Sequence, residues 1–298
     1  MRSKKVLSED YVEKLYEIFE AKKWDAEEPG KFSVFDRFCD RLAFLTDDEE
    51  RDLLIELTRR FVWVQANQYE AKLVSVLKSL FESPEWCETN VKGATYICPL
   101  VSEVNFGKTK SSTFMLYLCQ SIMLRTFDEF QNKQVRICET PKVLQHHKDN
   151  VGRLILLDDY VGSGETAMEC LTYLEKLGIT AENIPMYVVT IVTQEEGMKW
   201  IEGQGVRVYS DTIRKKGISD YYSSEEVPGK LAVMERIEKL LRVEEKERFG
   251  HLQSESLVSM IRTPNNTFPV YWMENQKTSK APFPRKKNVK FLGIDKEE

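Results

Sequence analysis

Leu154-Ile155-Leu156-Leu157-Asp158-Asp159-Tyr160-Val161-Gly162-Ser163-Gly164-Glu165-Thr166 reads as a buried strand, a tight loop and the first turn of a helix. Four consecutive aliphatic residues suit a strand covered on both faces, as in a parallel sheet. The strand is expected to end at Leu157, with two carboxylates just beyond it. Gly162 and Gly164 permit backbone angles and close approach that a Cβ forbids. Ser163 and Thr166 bring hydroxyl donors, and a helix opened by small residues presents backbone N–H groups to an anion. Asp158 and Asp159 repel phosphate; they suit sugar hydroxyls or a hydrated Mg²⁺. Phosphate, sugar and metal together describe a ribose-phosphate site, placed where open α/β sheets bind ligands, beyond the carboxyl ends of strands.

The segment resembles the phosphoribosyl diphosphate (PRPP) loop of the type I phosphoribosyltransferases. That pattern is a hydrophobic strand, two acids, two apolar residues, a variable position, Thr/Ser, Gly, any residue and Thr/Ser. It falls here on Leu154 to Leu157, Asp158-Asp159, Tyr160-Val161, Gly162, Ser163-Gly164, Glu165 and Thr166. No Gly-Lys-Ser/Thr follows the glycines, which excludes a Walker A loop, and the third glycine of a dinucleotide fingerprint is missing. The resemblance implies that Gly162, Ser163, Gly164, Glu165 and Thr166 hold a ribose 5′-phosphate. It implies that Asp158 and Asp159 are the catalytic pair, orienting the ribose directly or through Mg²⁺, with Tyr160 beside the base or sugar. Purine-salvage members often carry an acid at the position of Gly162, where it assists the base. Gly162 cannot do this, so the ribose-phosphate site is better supported than transfer to any standard base.

Flanking residues extend the pattern. Ala167, Cys170, Leu171, Leu174 and Leu177 form a helical stripe that Gly178 should close. Tyr187 to Val192 and Val206 to Tyr209 read as further strands, with Glu196-Gly197 opening a short helix between them. Such a βαβαβ series demands a parallel sheet. Upstream, Ala94 to Leu100 reads as the first core strand. The loop from Val101 to Ser112 then offers Lys108, Lys110, Ser111 and Ser112. The resemblance places diphosphate against Lys108, Ser111 and Ser112, although both serines serve equally as helix caps. Thr113 to Arg125 reads as a helix with Phe114, Leu116, Tyr117, Leu118, Ile122 and Met123 largely buried, and Val135 to Cys138 as a strand. His146 and His147 are adjacent, diverge on any regular element, and are not expected to share a metal.

Residues 9–82 read as helical, with stripes at Val12, Leu15, Ile18, Phe19 and at Phe35, Phe38, Leu42, Leu45. Thr46 and Glu49 suggest a capping box for a helix from Leu53 to Val64, and Tyr69, Leu73, Val76, Leu77 and Leu80 mark another. Lys230 to Arg248 reads as a charged helix. Leu257 to Ile261 and Val270-Tyr271-Trp272 read as strands around Thr263-Pro264-Asn265-Asn266-Thr267. Asn265 and Asn266 fix a turn or read a base edge or sugar. With Phe249-Gly250-His251, this tail is similar to phosphoribosyltransferase-like effectors of bacterial conflict systems, including anti-phage proteins encoded beside retron reverse transcriptases. That resemblance implies a toxic effector partnered by a reverse transcriptase or another defence protein and its nucleic acid.

The expected class is therefore α/β: a phosphoribosyltransferase-like parallel sheet flanked by helices, with an α-helical N-terminal region. The expected organisation is helices over 1–90, the core over 91–222, a helix and strands over 223–276 completing the core or its hood, and a basic flexible tail over 277–298. The ligand is PRPP or a nucleotide with Mg²⁺. Phosphoribosyl transfer or cleavage is the leading activity; a non-catalytic nucleotide sensor and a docking subunit are the alternatives. At 298 residues, 42% hydrophobic and 31% charged, the chain can bury a full core. A formal net charge of −5 gives no global pull toward nucleic acid or membrane. The tail cluster Lys277, Lys280, Arg285, Lys286, Lys287 and Lys290 is the local exception. Six unpaired-looking cysteines argue against zinc or a disulfide framework. Met1-Arg2-Ser3-Lys4-Lys5 opens no apolar signal core and no run is long enough to span a bilayer, so the cytoplasm is expected. An oligomer is compatible with the sequence.

Overall fold

The computed structural model describes residues 6–25, 33–88, 91–131, 135–274 and 278–285. Met1 to Lys5 and the tail lysines Lys277, Lys286, Lys287 and Lys290 lie outside the described residues. In chain order the elements are α1 (Glu9–Lys22), α2 (Val34–Phe44), α3 (Asp48–Arg60), β1 (Val62–Trp63), α4 (Tyr69–Phe81), α5 (Pro84–Glu88), β2 (Ala94–Pro99), α6 (Ser111–Leu118), α7 (Asp128–Gln131) and β3 (Val135–Ile137). Then come β4 (Val151–Val161), α8 (Glu165–Lys176), β5 (Met186–Gln194), α9 (Glu195–Gly203), β6 (Arg207–Arg214), α10 (Val227–Leu240) and β7 (Val258–Ser259). The described residues divide into two compact units. One holds Gln65–Arg214; the other holds those up to Val64 and those from Lys215 onward.

The first unit is the α/β sheet that the sequence leads one to expect. Five parallel strands run in the order β3-β2-β4-β5-β6. Every residue of β2 and β5 is buried, as suits largely apolar strands covered on both faces. One side of the sheet packs Tyr96, Leu154, Leu156 and Val188 against Ala167, Cys170 and Leu174 of α8. Helix α4 packs on β5 and β6 within the same unit. The chain steps one way from β2 to β3 and the other way from β4 to β5 and β6. The switch point, where doubly wound sheets open a crevice for ligands, therefore lies between the carboxyl ends of β2 and β4.

Three expectations in this unit are corrected. Strand β4 does not stop at Leu157: Asp158, Tyr160 and Val161 stay in register with Thr190, Val192 and Thr193. Helix α6 ends at Leu118 instead of Arg125 because its closing bonds shorten. The amides of Cys119, Gln120 and Ser121 reach the carbonyls of Leu116, Tyr117 and Leu118, three residues back. Phe114 and Tyr117 on the helix, and Ile122 and Met123 beyond its end, are exposed, Tyr117 by 69% and Ile122 by 82%. Strand β6 runs on to Arg214, where the sequence pattern stops at Tyr209.

The second unit gathers α1, α2, α3 and α10 around an aromatic core. Phe61 stacks on Phe283 with ring centroids 5.1 Å apart and planes 2° apart, and Trp24, Phe38, Trp63 and Tyr271 close around them. Helix α3 ends at Arg60, and Val62–Trp63 form a short parallel pair with Val258–Ser259; no helix continues to Val64. Its N-cap is Asp47, whose carboxylate accepts from Glu50 N at 2.9 Å, while Glu50 accepts from Thr46 N at 2.8 Å. The N-cap is thus one residue later than Thr46, and Glu50 reaches past it to the Thr46 amide, so the reciprocal pair of a capping box is not formed. Helix α10 stops at Leu240, with Arg242 in the left-handed region at φ 60°. Pro269–Tyr271 is a 3₁₀ turn instead of a strand, closed by Tyr271 N on Phe268 O and Trp272 N on Pro269 O.

Candidate functional site

Alternation along β4 sends Asp158 and Asp159 to opposite faces of the sheet. Each meets a hydroxyl from a different helix. Ser111 Oγ, at the start of α6, donates to Asp158 Oδ1 at 2.7 Å. The Tyr69 hydroxyl, at the start of α4, donates to Asp159 Oδ2 at 2.9 Å. Asp158 Oδ1 also accepts the Asp159 amide at 2.9 Å. These bonds explain why two carboxylates remain inside the strand: their lone pairs are met locally, so the ladder to β5 continues. Tyr69 is 1% exposed and packs edge-on against Phe114 of α6 at 5.7 Å.

Hydroxyl donors do not neutralise charge. Among the described residues neither aspartate forms an ion pair. Burial, followed by the charge of Asp159, pushes the Asp158 carboxyl well above the usual aspartate range. Burial also raises Asp159, against the opposing pull of hydroxyls that include Tyr69. Burial makes both neighbouring carboxylates costly to ionise. They become favourable when a cation or the donor hydroxyls of a ligand arrive. No group of three or more metal-ligating side chains exists among the described residues. Magnesium is usually held by one or two carboxylates together with water and a ligand's phosphates, and these two carboxylates are of that donor type.

After Val161 the chain turns through Gly162, Ser163 and Gly164 into α8. Gly164 is the N-cap, in the left-handed region at φ 86°, and its carbonyl accepts Met168 N at 2.8 Å. Gly162 is buried, Ser163 half-buried, and Glu165 and Thr166 are exposed at the first turn. The early amides of α8 have no intrahelical acceptor, and the helix dipole adds roughly 0.3–1 kcal/mol for an anion held there. The loop is held from behind by α9. A Cβ on Gly197 would lie 2.2 Å from the Gly162 carbonyl oxygen, and one on Gly164 would touch Trp200 at 3.5 Å.

The structure thus brings together Asp158, Asp159, Gly162, Ser163, Gly164, Glu165, Thr166 and Ser111 at one end of β4. Tyr160 is half-buried on the same strand, its hydroxyl bonded to Gln194 Oε1 at 2.8 Å. Lys108 is exposed on the loop leading to α6, 3.4 Å from Asn105 Oδ1. Ser112 turns inward and is 1% exposed, so Ser111 alone of the two serines faces the aspartates. Asn265 and Asn266 lie in the other compact unit. There the Asn265 carbonyl accepts His251 N at 2.9 Å with the residue exposed, and Asn266 Nδ2 donates to Ser254 Oγ at 3.0 Å, so the Asn266 side chain serves the turn. His146 and His147 are exposed, and His147 lies against the Tyr96 ring with centroids 5.9 Å apart. Tyr69 was hidden in the sequence as one apolar position of a helical stripe; nothing local marks a hydroxyl whose partner is 90 residues away.

A search of curated proteins returns no match. A family model described as PRTase-CE matches residues 35–285, a span that takes in the whole parallel sheet, the aspartate pair and the glycine loop. A phosphate-type loop at the switch point of such a sheet and a family match over most of the chain agree: the chain is phosphoribosyltransferase-like and belongs to the PRTase-CE family.

Proposed function

We propose that the chain binds a ribose-5-phosphate ligand, PRPP or a nucleotide, and acts on it by phosphoribosyl transfer or by cleavage of its N-glycosidic or diphosphate bond. The observation that carries the reading is the pair of uncompensated carboxylates directly ahead of a glycine loop, at the switch point of the sheet. The amides of the loop and the hydroxyls of Ser163 and Thr166 would hold the 5′-phosphate. Asp158 and Asp159 would orient the ribose hydroxyls, directly or through a hydrated Mg²⁺, with Ser111 and Lys108 toward diphosphate. A cation held there would supply charge neutralisation for a leaving diphosphate. The protein's share is to position the sugar and stabilise charge as an oxocarbenium-like state forms, which needs no strong nucleophile. An anti-phage effector role, which the C-terminal resemblance implies, belongs to the same proposal.

Calorimetric titration of the full chain with PRPP and Mg²⁺, with chromatography of the products, tests it. The double variant Asp158→Asn, Asp159→Asn should lose at least tenfold in affinity, and wild type should form a ribosylated or hydrolysed product that the variant does not. Equal affinity in both proteins removes the assignment. Binding without turnover selects the second reading, a nucleotide sensor, which Gly162 favours because it stands where purine-salvage phosphoribosyltransferases often carry a base-assisting acid.

A further inference from the structure

Strands β2 and β3 end side by side, and each end carries a cysteine. Thr95, Tyr96 and Ile97 stand opposite Val135, Arg136 and Ile137, so Cys98 and Cys138 are the next pair in register. The Cys138 amide still reaches the Ile97 carbonyl at 2.9 Å. Pro99 has no N–H to return the bond, so the ladder stops at this pair. The pair two residues earlier already touches, Arg136 Nη1 donating to the Tyr96 hydroxyl at 2.9 Å. Alternation repeats that facing at Cys98 and Cys138, and both are buried in the same apolar cluster. Neighbouring strands lie about 4.8 Å apart, inside the range of roughly 4.4–6.8 Å between the Cα atoms of a disulfide. Both cysteines are free thiols in this structure.

The two thiols are unequal. Cys98 donates to the Cys138 sulfur, and this bond is the main reason that Cys138 ionises below the usual thiol range; burial opposes it and the Arg136 guanidinium adds to it. Burial, then the same bond, holds Cys98 well above that range. A thiolate beside a protonated thiol is a nucleophile beside a resolving group. Cys138 also lies at the sheet's open edge, between exposed Ile137 and exposed Glu139. Cys98 stands opposite Leu156 of β4, two residues before Asp158. The chain between the two cysteines carries α6 and Ser111, whose hydroxyl meets Asp158.

We propose that Cys98 and Cys138 are an oxidation-sensitive pair, closing reversibly to a disulfide that ties β2 to β3 and restrains the segment bearing Ser111. The oxidant is hydrogen peroxide. The Cys138 thiolate attacks one peroxide oxygen, the O–O bond breaks, and the second oxygen leaves as hydroxide and takes up a proton. The Cys98 sulfur then attacks the sulfenic sulfur of Cys138. The S–S bond forms, the S–O bond breaks, and a second water departs with the Cys98 proton. Two thiols lose two electrons in all, and one peroxide becomes two waters. The proposal is independent of the ribose-phosphate reading.

The test treats the full chain with equimolar peroxide, blocks the remaining thiols, digests without reductant and maps the fragments by mass spectrometry. The fragments bearing Cys98 and Cys138 should be joined and lighter by two hydrogens, while exposed Cys87 stays a free thiol. Dithiothreitol should separate them. Closing so long a loop should raise the melting temperature by about 4 °C or more, and amide exchange should slow in α6. In Cys138→Ser, compared with its own untreated sample, neither change should occur. The fragment map needs no variant, so a misfolded Cys138→Ser would not rescue the idea. Oxidation confined to Cys87, or linkage of Cys98 to Cys170, its neighbour on α8, overturns the proposal. So does a bridge that leaves exchange in α6 unchanged, or an equal rise in melting temperature in Cys138→Ser.

Discussion

At the scale of single residues, the aspartate pair sets function against stability. Asp158 and Asp159 gain one hydroxyl each from Ser111 and Tyr69, but no cation offsets them within the described protein. The carboxyl of Asp158 is held well above its ordinary range, by burial first and by its neighbour second. The sign of the consequence follows. An unfolded aspartate ionises near pH 3.9. Between that pH and the higher pH at which folded Asp158 ionises, the native chain keeps a proton that the unfolded chain has released. Stability therefore falls as pH rises through this window, and the loss is complete above it. Asp158→Asn removes the loss and keeps an oxygen to accept from Ser111. The variant should melt with the wild type near pH 4 and above it near pH 8, by about 2–4 °C for each kcal/mol relieved. Thermal melts of both proteins across that range check it; a wild type that is equally or more stable at pH 8 would show that the pair is already compensated. The two acids were legible in the sequence because acids at the end of an aliphatic run have few structural uses. The hydroxyl of Tyr69 was not, because its partner is fixed by tertiary packing alone.

At the scale of elements, the strands were the most legible part. Leu154 to Leu157 is apolar without interruption and Tyr187 to Val192 is apolar but for Thr190, as suits strands covered on both faces. Ends were less legible. Strand β4 runs four residues past its apolar stretch because side-chain hydroxyls meet its carboxylates, and α6 closes early because its bonds shorten to three-residue steps. Neither event leaves a local mark in the sequence. The packing of α9 on the phosphate-type loop is also non-local, and it separates two glycines of one helix. At Gly197 a Cβ would meet the Gly162 carbonyl oxygen at 2.2 Å, whereas at Gly203 it would meet nothing within 4 Å. Alanine gains up to about 1 kcal/mol over glycine from helix propensity at either position. At Gly197 the backbone clash, costing about 1–3 kcal/mol, exceeds that gain. Gly197→Ala should therefore lower the melting temperature and, by displacing the loop, weaken PRPP binding at least tenfold. Gly203→Ala should melt no lower than wild type and bind as wild type does. Melts with calorimetry on both variants decide it: equal binding by both would mean that α9 does not set the loop's position.

At the scale of the whole molecule, chain order and spatial order part company. The sequence reads as helical region, core, C-terminal addition and tail. In the structure the sheet unit is the continuous stretch Gln65–Arg214, taking in α4 and α5, and the second unit is assembled from both ends of the chain. Periodicity identifies the N-terminal helices but cannot say what covers them, because the covering residues lie about 200 positions away. Phe283 shows this most directly. It is 6% exposed, stacks on Phe61, and meets Phe38, Trp24 and Trp63 within 6.3 Å. Its amide donates to the Tyr271 carbonyl at 2.8 Å, and its carbonyl accepts Thr263 Oγ1 at 3.1 Å. The backbone bonds survive truncation of the side chain; the ring contacts do not. Phe283→Ala should then cost about 3–5 kcal/mol, the range for deleting a buried aromatic ring from a packed core. That is a large share of the 5–15 kcal/mol by which folded domains are usually stable. Denaturant titration gives the magnitude, and amide hydrogen exchange gives the place. Protection should fall in α2, in α3 and around Val258–Tyr271, the elements whose core includes the ring. A cost below 1 kcal/mol, with exchange unchanged in those elements, would mean that the end of the chain lies on this unit without completing its core.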